Sequence, residues 1–200
     1  MSRARPWPCL AVALMAALAA GAAPAHAARL VLDPGKTEIR FSVGSTFHEV
    51  HGVVDLRSGA IRFDPVAGTA GGRIVVDATS ATTSKSGPDK KMHHAVLETK
   101  RFPQIVFEAV SFTGRVPENG PAHVKLPGVI EIHGTRHDLI LEADIIVTDG
   151  TLTGTARFEV PYVAWGMKDP SSFIFRAKKI VEVELDIAGR LDLDPAPPGP

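Results

Sequence analysis

The sequence has a single cysteine in 200 residues, Cys9, and it lies inside an apolar N-terminal run. A chain that sheds this run has no thiol, which excludes a disulfide framework, a cysteine nucleophile and thiolate metal ligands. Excess charge is missing as well, since 22 basic residues stand against 22 acidic ones. That balance, with 44% hydrophobic residues, excludes a disordered tail or a basic nucleic-acid-binding domain as the bulk of the chain. Aromatic residues make up only 6%, so few large rings are available to fill an interior. Enzymatic signatures are absent: there is no Gly-x-Ser-x-Gly elbow, no His-Glu-x-x-His and no Gly-rich phosphate loop ahead of a helix. The acidic residues alternate with apolar ones, which aims them at solvent and gives no paired carboxylates, so the expectation is a protein without catalysis.

Residues 1–27 read as a secretory signal peptide. Arg3 and Arg5 form a short positive segment, Cys9 to Ala23 is an almost uninterrupted apolar run, and Ala25-His26-Ala27 supplies small residues at the cleavage positions. The run is about 15 residues, short of the roughly 20 a membrane-spanning helix needs. Cleavage after Ala27 and a periplasmic or secreted location are expected, with an uncleaved anchor as the alternative. No other segment is long and apolar enough to cross a bilayer as a helix.

From Arg29 onward the dominant period is two, the mark of strands with one buried face. Val181, Val183, Leu185 and Ile187 alternate with Glu182, Glu184 and Asp186. The pattern recurs at Ile39 to Val43, Leu139 to Val147 and Leu152 to Val160. Less regular runs cover Val50 to Arg57, Ala60 to Phe63, Arg73 to Asp77, Gln104 to Thr113 and Val124 to His133, about nine strands in all. Turn-formers separate them: Asp33-Pro34-Gly35, Ser58-Gly59, Gly134-Thr135 and Asp149-Gly150. One short helix is predicted over Pro88 to Leu97, opened by a capping box at Ser86-Gly87-Pro88-Asp89. Residues 193–200 read as a disordered proline-rich tail.

So many antiparallel strands in one open sheet would leave exposed edges, and closure removes them. The predicted fold class is all-β: an extended up-and-down antiparallel β-barrel of about eight strands over residues 28–192, with one short helix. At that size the interior is either filled by side chains or wide enough for one small ligand. Gly52, Gly128, Gly154, Ala109 and Ala156 on inward parity suggest a hollow, although glycine also marks the bends of a barrel wall. An apolar hollow suits a long hydrocarbon chain, because each buried CH₂ contributes roughly 0.8 kcal/mol.

Several stretches together resemble the YceI-like family of secreted bacterial proteins, from Arg29 to Leu191. They are Ile39-Arg40-Phe41-Ser42-Val43, Met92-His93 continuing to Phe102-Pro103-Gln104-Ile105-Val106-Phe107, Gly128 to Thr135, and Val160-Pro161-Tyr162-Val163-Ala164-Trp165-Gly166-Met167-Lys168-Asp169-Pro170-Ser171. The resemblance implies a lipocalin-like barrel in the periplasm that binds an isoprenoid or similar long-chain amphiphile. Where members often carry an Arg-Asp pair and an Arg-Ser-Asp-like stretch, this chain has Asp89-Lys90-Lys91-Met92 and Val163-Ala164-Trp165.

The leading expectation is carriage or sequestration of an isoprenoid quinone, polyisoprenoid or fatty-acyl lipid. The expected wall residues are Phe41, Val54, Ile74, Phe107, Ile130, Leu141, Phe158, Trp165 and Met167, with Met92 and His93 from the helix near the mouth. Alternatives stay open at several positions. Trp165 and Met167, with Phe173 and Phe175, can form a plug instead; His93 can be a packed seam histidine; Lys168 and Asp169 can be a solvated turn. No cofactor is expected beyond the bound lipid. The expected partners are that lipid and transient contact with a membrane or a lipid enzyme, with no nucleic acid, and the protein is a monomer or homodimer. Two other readings are a ligand-free structural or stress-related adaptor and a histidine metal binder. The metal reading is weak: His48 and His51 point to opposite faces of a regular strand, and His133 and His137 flank a hairpin, so no closed set of ligands results.

Overall fold

The computed structural model describes residues 27–46, 49–83, 85–171 and 176–193. Among these residues the chain forms ten strands: β1 (Ala28–Leu32), β2 (Glu38–Gly44), β3 (Glu49–Asp64), β4 (Thr69–Thr82), β5 (Gln104–Ala109), β6 (Thr113–Gly114), β7 (Gly120–Ile132), β8 (Thr135–Thr148), β9 (Thr151–Val160) and β10 (Val181–Leu193). Between β4 and β5 lie helix α1 (Ser86–Lys91) and a π-helical turn over Met92–Val96.

Ten strands occupy eight places in a closed ring. Both β1 and β2 lie between β10 and β3, one after the other along the same seam. At the break between them Thr37 replaces the missing ladder. Its hydroxyl donates to the Ala188 carbonyl at 3.0 Å and accepts from the Ala188 amide at 3.2 Å. In the same way β5 and β6 follow each other alongside β7. All pairings are antiparallel, each strand from β2 to β9 pairs with the next in sequence except β5, which skips to β7, and β9–β10 together with the first seam closes the cylinder. The sheet therefore has no free edge over most of its length, as the count of alternating runs implies.

Local chemistry explains the corners. His133-Gly134 and Asp149-Gly150 have positive φ at both residues, 53° and 73° and 48° and 74°, the type I′ geometry that matches strand twist in two-residue hairpins. The expected Ser58-Gly59 turn does not exist. The chain runs straight through it as β3, with a register shift between Leu56 and Ser58. This bulge changes parity, so Val54 and Leu56 face inward on one side of it and Gly59, Ile61 and Phe63 on the other. The reversal comes instead at residues 65–68, where the Asp64 carboxylate accepts the amides of Val66 and Ala67. The helix starts at Ser86 without a side-chain cap. Asp89 is not part of a capping box; its oxygens accept from the Thr82 hydroxyl and from the Thr83 hydroxyl and amide, tying α1 to the end of β4. Leu193, expected to open the tail, ends β10, and residues 194–200, like 1–26, lie outside the described ones.

The two ends of the barrel differ. At one end Ile61, Phe63, Phe112, Val147, Leu152 and Leu191 are buried together, with the Phe63 and Phe112 rings stacked 4.4 Å apart. Each such side chain contributes roughly 1.5 to 3 kcal/mol by leaving water. The other end, where β4 stops and α1 begins, is capped on one side only.

Candidate functional site

The register brings four inward positions into one row at the capped end. Gly52 faces Phe41, Phe41 faces Val183, and Val183 faces Phe158, across β3, β2, β10 and β9. Phe41, Val183 and Phe158 point into the barrel yet remain partly exposed. One level deeper the row Val54, Ile39, Leu185, Ala156 and Ala143 is mostly buried and forms a floor. Above the floor opens a cavity of about 780 Å³, lined by Phe41, Gly52, Phe158, Val183, Thr82 and Thr83. Its inner wall is apolar because alternate residues of these strands are apolar, and the rest of its lining is largely charged, with Arg40, Glu49, His51, Arg157, Glu159, Glu182 and Glu184 around the mouth.

Polar groups of the outer face border it. Arg40 bridges Glu38, Glu184 and Asp186, and Arg157 donates to Glu184. The hydrogen bond from Arg157 holds the Glu184 carboxyl below the usual carboxylate range, with the charges of Arg157 and Arg40 adding to it. A second depression of about 900 Å³ lies over Gly154, lined by Lys36, His123, Asp144, Thr153, Thr155 and Asp186 together with the apolar Pro121, Ala122, Ile145, Ile146, Ile187 and Ala188. Those polar residues face away from the barrel interior.

The rest of this end is closed by a plug. Ile132, Val160, Tyr162 and Met167 are buried together, and Val96, Leu97, Ile105 and Trp165 pack on them. Loop 161–167 folds back through bonds from the Trp165 amide to Pro161 and from the Met167 amide to Tyr162. The Trp165 ring stacks on His137 at 4.3 Å and 3°. Tyr162 donates its hydroxyl to the Lys178 carbonyl at 3.1 Å. Burial, with the charge of Asp169, pushes its phenol up to about 12.

Of the residues expected to contact a ligand, Phe41 and Phe158 line the cavity. Phe107, Ile130 and Leu141 are buried in the main core, with Val54 and Ile74 packed against it. Met167 and Trp165 belong to the plug, and Met92 is partly exposed on the π-helical turn. His93 sits in the seam: Nε2 donates to the Ala81 carbonyl at 2.8 Å, which leaves Nδ1 to accept from the Thr99 hydroxyl at 3.2 Å. Val183, Thr82 and Thr83 also line the cavity. The alternation of β10 places Val183 inward, but only the register with Phe41 and Phe158 places it at the cavity. The glycine positions fill differently from expectation. A Cβ on Gly52 would lie 2.2 Å from the Phe41 ring and one on Gly128 2.4 Å from the Phe107 ring, so neighbouring rings occupy the space the glycines leave.

The other histidines are dispersed. His133 pairs with Glu98 at 2.6 Å and His123 with Asp144 at 2.8 Å. Among the described residues no three His, Cys, Asp or Glu side chains converge as a metal site would require. His48, Phe173 and Phe175 lie outside the described residues.

A closed eight-place antiparallel barrel, packed at one end and hollow at the other, is thus the class this fold defines. The sequence matches the YceI-like domain over residues 30–189, and the chain belongs to that family. No curated protein matches it. Among solved structures, BcnA of Burkholderia cenocepacia is similar with a TM-score of 0.62 at 12% identity, covering 78% of this chain and 98% of that one. A polyisoprenoid binding domain from Saccharophagus degradans, implicated in plant cell wall breakdown, is similar with a TM-score of 0.62 at 11% identity, covering 82% of this chain and 98% of that one. At such identities the likeness is one of fold.

Proposed function

We propose that the protein binds one long-chain amphiphile, an isoprenoid quinone, polyisoprenoid or fatty-acyl lipid, and carries or sequesters it in the periplasm after loss of residues 1–27. The observation that carries this reading is the row of inward, partly exposed apolar side chains, Phe41, Val183 and Phe158, at an open cavity of about 780 Å³ with a charged rim. Ligand sites commonly span about 300 to 1,000 Å³, and a barrel that served only as a scaffold would gain stability by filling such a space. Ten buried CH₂ groups would contribute a gross ~8 kcal/mol before association costs. The polyisoprenoid binding domain from Saccharophagus degradans supports the choice of ligand class.

Native mass spectrometry of protein purified from a membrane-containing host should show an apolar adduct of several hundred daltons that organic solvent extracts. Val183→Trp, which fills the cavity from β10, should abolish the adduct while circular dichroism stays unchanged. Protein that is ligand-free and also ignores added isoprenoids would point to the adaptor reading instead.

A further inference from the structure

Charge is distributed unevenly along the barrel axis. The two long connections at the hollow end, 83–103 and 161–180, carry nine cations: Lys85, Lys90, Lys91, Lys100, Arg101, Lys168, Arg176, Lys178 and Lys179. They carry three anions, Asp89, Glu98 and Asp169. The remainder of residues 28–200 has eleven cations against nineteen anions, so a near-neutral chain is strongly polarised. Connections 65–68, 110–119 and 149–150 at the packed end contribute one cation, Arg115, and two anions, Glu118 and Asp149.

The hollow-end cations also differ in company. On the barrel wall Arg40, Arg73, Lys125, Arg136 and Arg157 each meet a carboxylate. All nine at the hollow end are exposed, and among the described residues none lies within ion-pair distance of a carboxylate. The three anions between them have other hydrogen-bond partners. Asp89 is held by Thr82 and Thr83 and Glu98 by His133, while Asp169 accepts from Ser171 and also feels the charges of Lys179 and Lys91. Strand-tip carboxylates Glu49, Glu159 and Glu182 lie at this end as well, and nine cations still outnumber six anions. An excess of cations on the connections at one end lowers stability by mutual repulsion and favours an anionic partner, while the cavity lining itself carries Glu49, Glu159, Glu182 and Glu184 with Arg40 and Arg157.

We infer that the hollow end is a docking surface for an anionic lipid bilayer, presenting the cavity mouth to the membrane from which its ligand comes and to which it returns. The purpose of the contact rests on the carriage reading above; the contact itself rests on the charge pattern. Cations near an anionic membrane strengthen binding by about five-fold each. The cations are spread over two connections at one end of the barrel.

The test is co-flotation of the protein with vesicles of phosphatidylcholine alone and of phosphatidylcholine mixed with phosphatidylglycerol. Binding is expected only to the anionic vesicles and should disappear in about 1 M NaCl, where charge acts over about 3 Å. The combined variant Lys90→Gln, Lys100→Gln, Lys168→Gln and Lys179→Gln should lower partitioning more than a hundredfold. A variant with Arg29→Gln, Arg62→Gln, Arg115→Gln and Arg190→Gln at the packed end should leave it within about five-fold, the effect of one cation. Equal binding to neutral vesicles, equal loss in both variants, or no binding to anionic vesicles would each overturn the proposal. Retained lipid in native mass spectrometry without vesicle binding removes the docking surface and keeps the carriage reading. Vesicle binding by lipid-free protein does the reverse.

Discussion

Tyr162 is the chain's one tyrosine, which makes it a clean reporter of the plug. It is 3% exposed and its hydroxyl is committed to the Lys178 carbonyl. Burial raises its pKa to about 12 from an unfolded value near 10, so the folded state favours the neutral phenol. The resulting stabilisation is complete below pH ~10 and is lost as pH climbs through about 12. Absorbance at 295 nm should therefore titrate near pH 12 in the native protein and near 10 in denaturant, with melting temperature falling steeply between. Tyr162→Phe should lose that alkaline dependence and cost about 1 kcal/mol at neutral pH for the deserted carbonyl; a native midpoint near 10 would contradict the buried plug. Residue-scale reading of the sequence was good for parity and poor for volume. Phe41 and Gly52 both point inward as alternation requires, but that one ring covers the other's missing side chain depends on a cross-strand register that no local pattern displays.

Helix α1 is anchored through Asp89, whose carboxylate gathers three donors from Thr82 and Thr83. Burial alone would raise its pKa; the Thr83 hydroxyl and amide and the Thr82 hydroxyl outweigh it and bring the value below the ordinary aspartate range. A folded pKa below the unfolded ~3.9 means the anchor contributes fully above that value and weakens as pH falls beneath it. Asp89→Asn should cost about 1 to 2 kcal/mol at pH 7, since one oxygen acceptor becomes a donor, and should flatten the acid limb of a stability curve measured by denaturant melts. An acid limb identical to the unsubstituted protein would show that the anchor does not hold α1. The helix itself was legible from Pro88 and the i, i+4 pair of Met92 and Val96. Its cap was misread because Asp89 has two uses, and only the nearness of β4 decides between them. The Arg57–Ser58 bulge was missed for a related reason: Ser-Gly is a turn signal locally, whereas the partner strand β4 carries the chain straight through.

At the scale of the whole molecule, a packed half and a hollow half share one continuous sheet. Hydrogen exchange should follow that division. Amides of β1 and of β10 from Gly189 to Leu191 should approach global protection, while those of residues 41–44 and 181–184 should open earlier and slow when an isoprenoid is added. Uniform protection along β10 would mean that the hollow end is as firm as the packed one. The closed all-β architecture was readable from alternation and turn residues, because a barrel is the simplest way to end a run of antiparallel strands. Which end is hollow was not readable, since it depends on where loop 161–167 folds back. The convergence of two distant cationic connections on one rim was equally invisible, though every lysine in it can be counted from the sequence.

The seam shared by β1 and β2 has a consequence for the life of the chain. Ala28 pairs with Leu193 and Ile39 with Leu185, so the first strands to emerge from a ribosome must wait for the last before the cylinder can shut. Contacts this distant in sequence give a high contact order and slow folding. A nascent chain would stay an open, unclosed sheet until synthesis is nearly done.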